Sequence, residues 1–372
     1  MLERDWYASL GLEQVLAKVE AGERLSIEDG EQLFACPDIS AVGALAHFDR
    51  VRRHGTSTHY VINRHVNYTN VCVNNCLFCA FRRERGETGS FELSHDTVLD
   101  KIADSRGACE VHIVGGCHPD LRLSFFTGLI ERIKAEHPAI TVKAFTAVEI
   151  AHFAELESLT TLEVLAILQQ AGLDMLPGGG AEIFAPEIRQ KICPRKTDGE
   201  NWLRIAGEAH GLGIPTNATM LFGHLESIAD RLDHLDQLRR QQDSSGGFVC
   251  FIPLPFLTEA SLLELPEERK GPHTGLDELR TIAVSRLMLD NIQHIKAYWV
   301  MLSVKQAQTA LWFGADDLDG TVVEEKIGHM AGAQSEQALS RAELEAMIQG
   351  CGLTPVQRDS LFRPLAREEA TT

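Results

Sequence analysis

The sequence predicts an α/β fold, a closed (β/α)8 barrel of the TIM type, and two observations support this prediction. Short apolar segments typical of strands alternate with amphipathic segments typical of helices, an order that produces parallel sheets buried on both faces. Glycine-rich or polar loops follow successive strand segments. Barrel enzymes place their chemistry at this carboxyl end of their strands, so the loops also indicate where a functional site lies.

Eight segments have the apolar character of barrel strands, and helical segments separate them. The strand segments span residues 59–67, 110–114, 141–145, 173–176, 215–221, 247–253, 295–302 and 310–313. Helical spacing is present near residues 95–105, 122–136, 159–171, 200–212, 226–242, 275–291 and 303–309. We therefore expect N-terminal helices over residues 1–52, the barrel over 53–334 and a short C-terminal helical appendage over 335–372.

Composition excludes several classes of function. The chain has 372 residues, with 35 lysines and arginines against 53 aspartates and glutamates, which gives a net charge of −18. A surface this acidic repels phosphate backbones and argues against nucleic-acid binding. No apolar run approaches the roughly 18 residues of a membrane-spanning helix, and the first residues lack the layout of a signal peptide. We expect a cytoplasmic protein without a membrane partner.

Three of the nine cysteines form the motif Cys72-x-x-x-Cys76-x-x-Cys79. Structural zinc sites and [4Fe–4S] clusters normally take four ligands, so three local thiolates leave one coordination position open, which is a catalytic feature. An iron–sulfur cluster with an open iron is the favoured interpretation, and zinc or buried thiols are the alternatives. The other six cysteines are interpreted as small buried apolar residues: Cys36, Cys109, Cys117, Cys193, Cys250 and Cys351.

The cysteine motif resembles that of the radical S-adenosylmethionine (SAM) superfamily, whose loop follows the first strand of a full or partial barrel. The resemblance implies a [4Fe–4S] cluster held by three cysteines, with SAM chelating the fourth iron. An electron from the cluster then cleaves SAM to a 5′-deoxyadenosyl radical. An electron donor such as flavodoxin or ferredoxin is implied as a partner.

The same resemblance assigns SAM-binding roles to five residues. Phe78 precedes the third cysteine, where the backbone of an aromatic residue meets the adenine. Gly115 and Gly116 resemble the glycine pair that receives the methionine amino group, although a tight turn would equally use glycine. Glu149 is expected to bind the ribose hydroxyls or, alternatively, to cap the next helix. Arg189 is expected to pair with the SAM carboxylate or, alternatively, to form a surface ion pair.

Longer stretches resemble the aminofutalosine synthase family of menaquinone biosynthesis within this superfamily. They span residues 112–120, 143–150, 177–184, 192–196 and 215–224. Sister families, the dehypoxanthine futalosine cyclases and the deazaflavin-forming synthases, remain an alternative. These tend to carry His-Ala-Phe-Ser-Pro where this chain has Lys143–Ala147. An iron–sulfur electron carrier without chemistry of its own is a third possibility. The glycine-rich and polar loops after the strands argue against it, because a carrier does not need them.

The family reaction joins SAM to 3-[(1-carboxyvinyl)oxy]benzoate, with rearrangement and loss of bicarbonate, and gives 6-amino-6-deoxyfutalosine. If it applies, positive groups must concentrate around a substrate with two carboxylates. His118 or Glu149 would act as the base for water attack at the departing carboxylate. The candidate substrate-binding residues are Lys143, Thr146, Arg195, Asn217 and His224, with Lys196 as a further cation near the barrel mouth.

Overall fold

The computed structural model describes residues 2–105, 107–267 and 275–365. The helices are α1 (Arg4–Ser9), α2 (Glu13–Ala21), α3 (Ile27–Ala35), α4 (Ile39–His54), α5 (His95–Ala103), α6 (Leu123–Glu136), α7 (Ala147–Glu157), α8 (Thr161–Ala171), α9 (Pro186–Ile192), α10 (Gly199–Gly211), α11 (Ile228–Ser245), α12 (Leu276–Met288), α13 (Trp299–Leu302), α14 (Val304–Ala310), α15 (Ile327–Ala331) and α16 (Arg341–Gly350). The strands are β1 (Ser57–Val61), β2 (Asn63–Val66), β3 (Glu110–Ile113), β4 (Thr141–Ala144), β5 (Thr216–Phe222), β6 (Phe248–Pro255), β7 (His294–Ile295), β8 (Asp317–Gly320) and β9 (Thr354–Gln357).

Parallel pairing closes the strands into a ring and confirms the predicted (β/α)8 barrel. Strands β2, β3 and β4 pair in order, and so do β5, β6 and β7. Single parallel bridges at Met175 and Leu176 join β4 to β5, and a bridge between Lys296 and Asp317 joins β7 to β8. The ring closes where β8 pairs with β1. Because β1 and β2 are two halves of one bent strand, they count as one, and the barrel has eight strand positions.

Two of the sequence-predicted strands are wrong in part. Residues 310–313 end α14 and enter a turn, and the eighth strand is β8, which follows them. Of residues 295–302, only the beginning is strand, and Trp299–Leu302 forms the short helix α13. Short apolar runs fit a buried helix as well as a buried strand, which explains both errors.

The C-terminal region also differs from its prediction as a helical appendage. Helix α16 is followed by β9, which pairs in parallel with the outer edge of β1. Arg358, directly after β9, is buried and pairs with Asp317 Oδ2 in β8. The described part of this region therefore adds a strand and a buried cation to the barrel wall, while residues 366–372 lie outside the described residues.

Strand periodicity separates an apolar layer from a polar barrel interior. In β3 and β4, the apolar residues Val111, Ile113, Val142 and Ala144 are fully buried and belong to the apolar core. The residues between them on the opposite face, such as Lys143, line the barrel interior. Helices α1–α4 precede this barrel, and α4 packs against α12. Among the described residues, no helix has the length and apolarity to span a membrane.

Candidate active site

A cavity of about 310 Å³ lies at the carboxyl ends of the barrel strands. One wall is the loop after β2, and the other walls follow β3, β4, β5, β6 and β7. The cavity continues into the barrel interior, where charged side chains line it. The glycine-rich and polar loops predicted from the sequence lie at this end of the barrel.

Cys72, Cys76 and Cys79 all line this cavity. Backbone hydrogen bonds fasten their loop at both ends, from Cys72 N to Arg83 O at 3.1 Å and from Leu77 N to Ile192 O at 3.0 Å. The three thiols differ electrostatically. A hydrogen bond from the Cys117 thiol lowers the pKa of Cys72 to about 6, whereas burial raises the pKa of Cys76 to about 12 and also raises that of Cys79.

Cys117 was expected to be only a buried apolar residue, and the structure gives it polar contacts at the cavity. Its side chain is buried and lines the cavity next to Cys72. The Asn74 side-chain amide donates to Cys117 Sγ at 3.2 Å. The loop that carries the cysteine motif is therefore tied through Cys117 to the end of β3.

Gly115 and Gly116 bring the end of β3 against the cysteine loop. A Cβ atom on Gly116 would lie 2.2 Å from Val71 O and 2.9 Å from Cys72 Cβ. A Cβ atom on Gly115 would lie 2.6 Å from the ring of Tyr68. At Gly116 the contact is with backbone, which no side-chain rotation can relieve, so glycine is required; at Gly115 the contact is with the buried ring of Tyr68. Both glycines line the cavity, and the pair therefore serves close packing at the place where a ligand would approach.

Glu149 combines its two expected positions, because it lines the cavity and also caps α7. Its Oε2 accepts hydrogen bonds from the backbone and hydroxyl of Thr146, both at 2.8 Å, in a capping box. Its Oε1 accepts from Tyr68 OH at 2.9 Å and from Gly115 N at 3.1 Å. Burial raises the pKa of this carboxyl to about 7. Four donors occupy the roughly four acceptor positions of the carboxylate.

Comparisons with known proteins agree with this geometry. A sequence model of the radical SAM superfamily matches residues 66–238, and a model described as the CofH/MqnC C-terminal region matches residues 245–370. The aminodeoxyfutalosine synthase of Thermus thermophilus is 45% identical over 351 residues, which cover 94% of each chain. The chain belongs to the radical SAM superfamily.

Two further matches place this radical SAM enzyme among its relatives. A 5-amino-6-(D-ribitylamino)uracil–L-tyrosine 4-hydroxyphenyl transferase of Methanopyrus kandleri is 37% identical and covers 97% of the chain and 99% of its own length. The crystal structure of methylornithine synthase matches the fold with a TM-score of 0.72 at 18% identity, over 91% of this chain and 96% of that one. The structural match supports the barrel fold alone.

The radical SAM family implies an iron–sulfur cluster and SAM, and the donor set of this enzyme fits them. Three soft thiol ligands from one short loop face one cavity. Phe78, half-buried in the same loop, lines the cavity between the second and third cysteines. Beyond the thiols, the cavity extends past the glycine pair and Glu149, which leaves room for a ligand of an open iron.

Two predicted arginines do not line the cavity of this enzyme. The buried Arg189 guanidinium donates to the backbone carbonyls of Ala181, Ile183 and Thr197, so it fixes the loops around α9 instead of meeting a SAM carboxylate. Arg195 lies in a separate surface cleft on the other side of the cysteine loop. An arginine side chain reaches several directions from one backbone position, so its sequence position did not determine its partner.

His118 and His224 also lie outside the cavity. His118 Nδ1 accepts from the backbone N–H groups of Asp120 and Leu121, and Nε2 lies 2.8 Å from Glu92 Oε1. His224 is fully buried, with Nδ1 accepting from Leu225 N at 2.7 Å and Nε2 at 3.0 Å from Leu221 O. Both imidazoles bind the loops that follow their strands.

Three predicted substrate-binding residues do line the cavity: Lys143, Thr146 and Asn217. Lys143 Nζ lies 2.6 Å from Glu110 Oε1, and both side chains are buried. Asn217 Oδ1 is buried and has no hydrogen-bond partner among the described residues. An unpaired buried amide oxygen in a cavity wall is an acceptor available to a ligand.

Several polar residues in the cavity were not predicted. In the barrel interior, His65 and His112 pair across β2 and β3 in the same row as Lys143, and their rings are 4.4 Å apart. Burial lowers the pKa of both histidines. The same cavity is lined by Glu182, Lys296, Tyr298, Asp319 and Glu325, beside Lys196, which was predicted as a cation near the barrel mouth. Polar residues in the middle of otherwise apolar strand segments were the available signal for the interior histidines.

Proposed function

We propose that this radical SAM enzyme is an aminofutalosine synthase. The proposed reaction joins the 5′-deoxyadenosyl group of SAM to 3-[(1-carboxyvinyl)oxy]benzoate. With one water consumed, it gives 6-amino-6-deoxyfutalosine, methionine, bicarbonate and a proton. The main support is the 45% identity to the Thermus aminodeoxyfutalosine synthase over nearly the full length of both chains.

Cys72, Cys76 and Cys79 would hold a [4Fe–4S] cluster through three irons and leave the fourth iron for SAM. When bound, the cluster supplies the electron that cleaves SAM into methionine and the 5′-deoxyadenosyl radical. The other residues at the site would position SAM. Phe78 and the glycine pair Gly115–Gly116 would form the wall along which SAM lies.

Glu149 is proposed to act by positioning its neighbours. Its carboxylate holds Gly115 N, Tyr68 OH and the first turn of α7 together beside the cluster loop. A ribose hydroxyl would have to replace one of these donors in order to bind the carboxylate. His118 is no longer proposed as a base, because its ring faces Glu92 and the turn at Asp120.

The substrate carboxylates are proposed to bind in the barrel interior. Lys143 Nζ has three donors, and the ion pair with Glu110 leaves capacity for a carboxylate. The unpaired oxygen of Asn217 would receive a hydrogen from the ligand. Lys196, whose Nζ lies 5.3 Å from the Phe78 ring centroid, provides a second cation at the cluster end. Lys196 is paired with Glu182, as Lys143 is with Glu110, and two cations that line one cavity suit a substrate that carries two carboxylates.

A cytoplasmic location and an electron donor such as flavodoxin or ferredoxin complete the proposal. An external donor would have to reduce the [4Fe–4S] cluster before the reaction starts, and the balanced reaction itself consumes no net electron. The donor and the compartment rest on the resemblance to radical SAM enzymes.

The test is an anaerobic assay of reconstituted and reduced protein with SAM and 3-[(1-carboxyvinyl)oxy]benzoate, read by mass spectrometry. A product that contains both adenosine and benzoate supports the proposal. Free 5′-deoxyadenosine alone would move the assignment to a sister enzyme with another substrate, such as the cyclase. No SAM cleavage, with the cluster shown intact and reduced, would favour an electron carrier.

Two cysteine variants provide the matched comparison for this assay. Cys76→Ala removes a thiol of the motif and is expected to abolish cluster assembly and product formation. Cys351→Ala, whose half-buried thiol lies 3.6 Å from Gln308 O near the end of α16, is expected to leave both unchanged. Normal iron content in Cys76→Ala would contradict the assignment of the cluster ligands.

The second candidate function is a transferase of the kind found in Methanopyrus kandleri, which is 37% identical over 369 residues. The same assay with 5-amino-6-(D-ribitylamino)uracil and L-tyrosine tests it directly. A coupled product from these two compounds, and none from the benzoate substrate, would replace the first proposal with the second.

A further inference from the structure

A group of three histidines and one aspartate lies at the opposite end of the barrel from the cavity. His54 is the last residue of α4, His59 lies in β1, His294 begins β7 and Asp316 immediately precedes β8. These positions belong to the amino-terminal ends of the strands. Asp316 is fully buried, and the three histidine side chains are at most 15% exposed.

The three imidazoles converge on one carboxylate oxygen. From Asp316 Oδ2, the distance is 2.6 Å to His294 Nδ1, 3.4 Å to His59 Nδ1 and 3.6 Å to His54 Nε2. Ligand atoms that bind one zinc ion at about 2.0–2.1 Å in a tetrahedron lie about 3.3 Å apart. The ligand atoms of His54, His294 and Asp316 already lie within 4.8 Å of one another, and His59 lies outside this set. His54 Nε2 is 3.0 Å from Gln293 O and His59 Nδ1 is 3.2 Å from Asp316 O, so metal binding would replace these two backbone contacts.

The surrounding contacts orient the carboxylate toward the rings. Asp316 Oδ1 accepts from the Arg286 guanidinium and from Ile295 N at 2.8 Å, so the other oxygen faces the histidines. The ring of Phe362 stacks on that of His294 at 3.6 Å between centroids and covers one side of the group. Such outer contacts are typical of metal ligands, whose orientation is set by a second layer of partners.

We propose that His54, His294 and Asp316 bind one zinc ion at the amino-terminal end of the barrel, and that the adjacent His59 turns from the Asp316 backbone carbonyl to supply the fourth ligand. Three nitrogen donors and one oxygen favour zinc or another late first-row divalent metal over magnesium or calcium, which prefer oxygen ligands. Four protein ligands make this a closed, structural site. The ion would tie α4 to β1, β7 and the entry to β8, and this proposal is independent of the reaction at the other end.

Zinc binding is tested on the holoenzyme, because an intact cluster keeps the cysteine thiols occupied. Reconstituted protein is equilibrated with zinc sulfate, freed of excess metal and analysed for zinc and iron per chain. We expect about one zinc per chain, with nitrogen or oxygen scatterers at about 2.0 Å and no sulfur at about 2.3 Å in the zinc X-ray absorption spectrum. Chelation of that zinc is expected to lower the melting temperature of the parent.

His54→Ala and His294→Ala are expected to lose the zinc and its effect on melting, with iron content unchanged. His137→Ala, at the end of α6, is the matched control and should retain both. His54 is at the end of a helix, so His54→Ala keeps the test valid if His294→Ala does not fold. Sulfur ligation, zinc content equal in all variants, or no zinc retained by the parent would each overturn the proposal.

Discussion

The backbone of Gly116 lies so close to the cysteine loop that a single methyl group decides whether both fit. The 2.2 Å that would separate a Cβ atom at this position from Val71 O is far below van der Waals contact, and neither atom belongs to a flexible side chain. Gly116→Ala is therefore expected to displace the loop, to lower the iron bound per chain and to cost about 1–3 kcal/mol of unfolding free energy. Iron analysis and denaturant unfolding measure the two effects.

Gly211→Ala is the control for this substitution. Gly211 ends α10, and a Cβ atom there would meet nothing within 4 Å. The expected result is unchanged iron content and a stability equal to or up to about 1 kcal/mol above the parent, because alanine favours helix. A Gly116→Ala protein that loads iron like Gly211→Ala would refute the steric argument.

Glu149 is expected to give the protein a distinctive pH dependence. Burial raises the pKa of its carboxyl to about 7, from 4.5 in a solvated chain, so the folded state holds the proton more tightly than the unfolded state. Its contribution to stability is complete below pH 4.5 and is lost as the pH rises through about 7, on the order of 3 kcal/mol in total. Glu149→Gln removes this titration.

The measurement is the free energy of unfolding at several pH values between 4.5 and 7, for the parent and for Glu149→Gln. The parent should lose stability relative to the variant as the pH rises. Parallel curves, or a parent that gains stability relative to the variant, would contradict the raised pKa.

The location of residues that lie within one short stretch could be predicted, and the contacts of residues with distant partners could not. The cysteine triad and the glycine pair each lie within a short stretch, and all five residues line one cavity as their spacing predicted. Arg189 in α9 and His118 after β3 were predicted to act at the site as Lys143 was, but they bond to backbone atoms of loops whose paths the sequence does not specify. Side-chain direction, set by tertiary packing, is the missing information.

At the scale of elements, a buried ion pair joins β3 to β4. Glu110 and Lys143 are both at most 2% exposed, and their charged atoms are 2.6 Å apart. Lys143→Met would leave Glu110 buried without this cation, and we expect a loss of about 3–5 kcal/mol of unfolding free energy. Chemical denaturation measures the loss.

The double variant Glu110→Gln, Lys143→Met tests the cause of that loss. Removing both charges takes away the unpaired carboxylate, so the double variant should recover most of the stability lost by Lys143→Met. A double variant less stable than Lys143→Met would show that the pair contributes more than charge compensation.

Most elements with long periodic patterns were predicted well, and most of the errors fall on short elements, although the four-residue strands β3 and β4 were predicted correctly. The helices α6, α8, α10, α11 and α12 lie within a few residues of their predicted ranges. The errors include α13, β8 and β9, which have four residues each, and the eleven-residue helix α7, which lies outside the predicted helical ranges. In four residues a pattern of period two and one of period 3.6 differ at too few positions to be distinguished.

At the scale of the molecule, the net charge of −18 predicts how stability responds to salt. Repulsion among excess carboxylates destabilises the compact state more than the extended chain, and salt screens it. We expect the melting temperature to rise when sodium chloride is increased from low to roughly physiological ionic strength, about 0.15 M. A fall over this range would mean that attractive surface pairs outweigh the net repulsion.

The alternation of strands and helices in the sequence predicted the closed barrel, but it did not predict the polar interior of that barrel. Alternating strands and helices produce a parallel sheet, and eight such units are the number that closes a TIM-type barrel. The interior depends on which face of each strand turns inward, and a shift of one residue would have reversed it. Lys143, a predicted substrate-binding residue, is on the face of β4 that lines the cavity.

The two strands that pair with β1, namely β8 and β9, are synthesised late, near the C-terminal end of the chain. They place His59 beside Asp317 and Ser57 beside Thr354. A ribosome that adds roughly 5–20 residues per second needs about 13–50 s to travel from β1 to β8. Throughout that interval β1 is an unpaired edge, the kind of surface that joins strands of other chains. Nascent chains of this enzyme are therefore most vulnerable to aggregation on the ribosome, before the last quarter of the barrel has emerged.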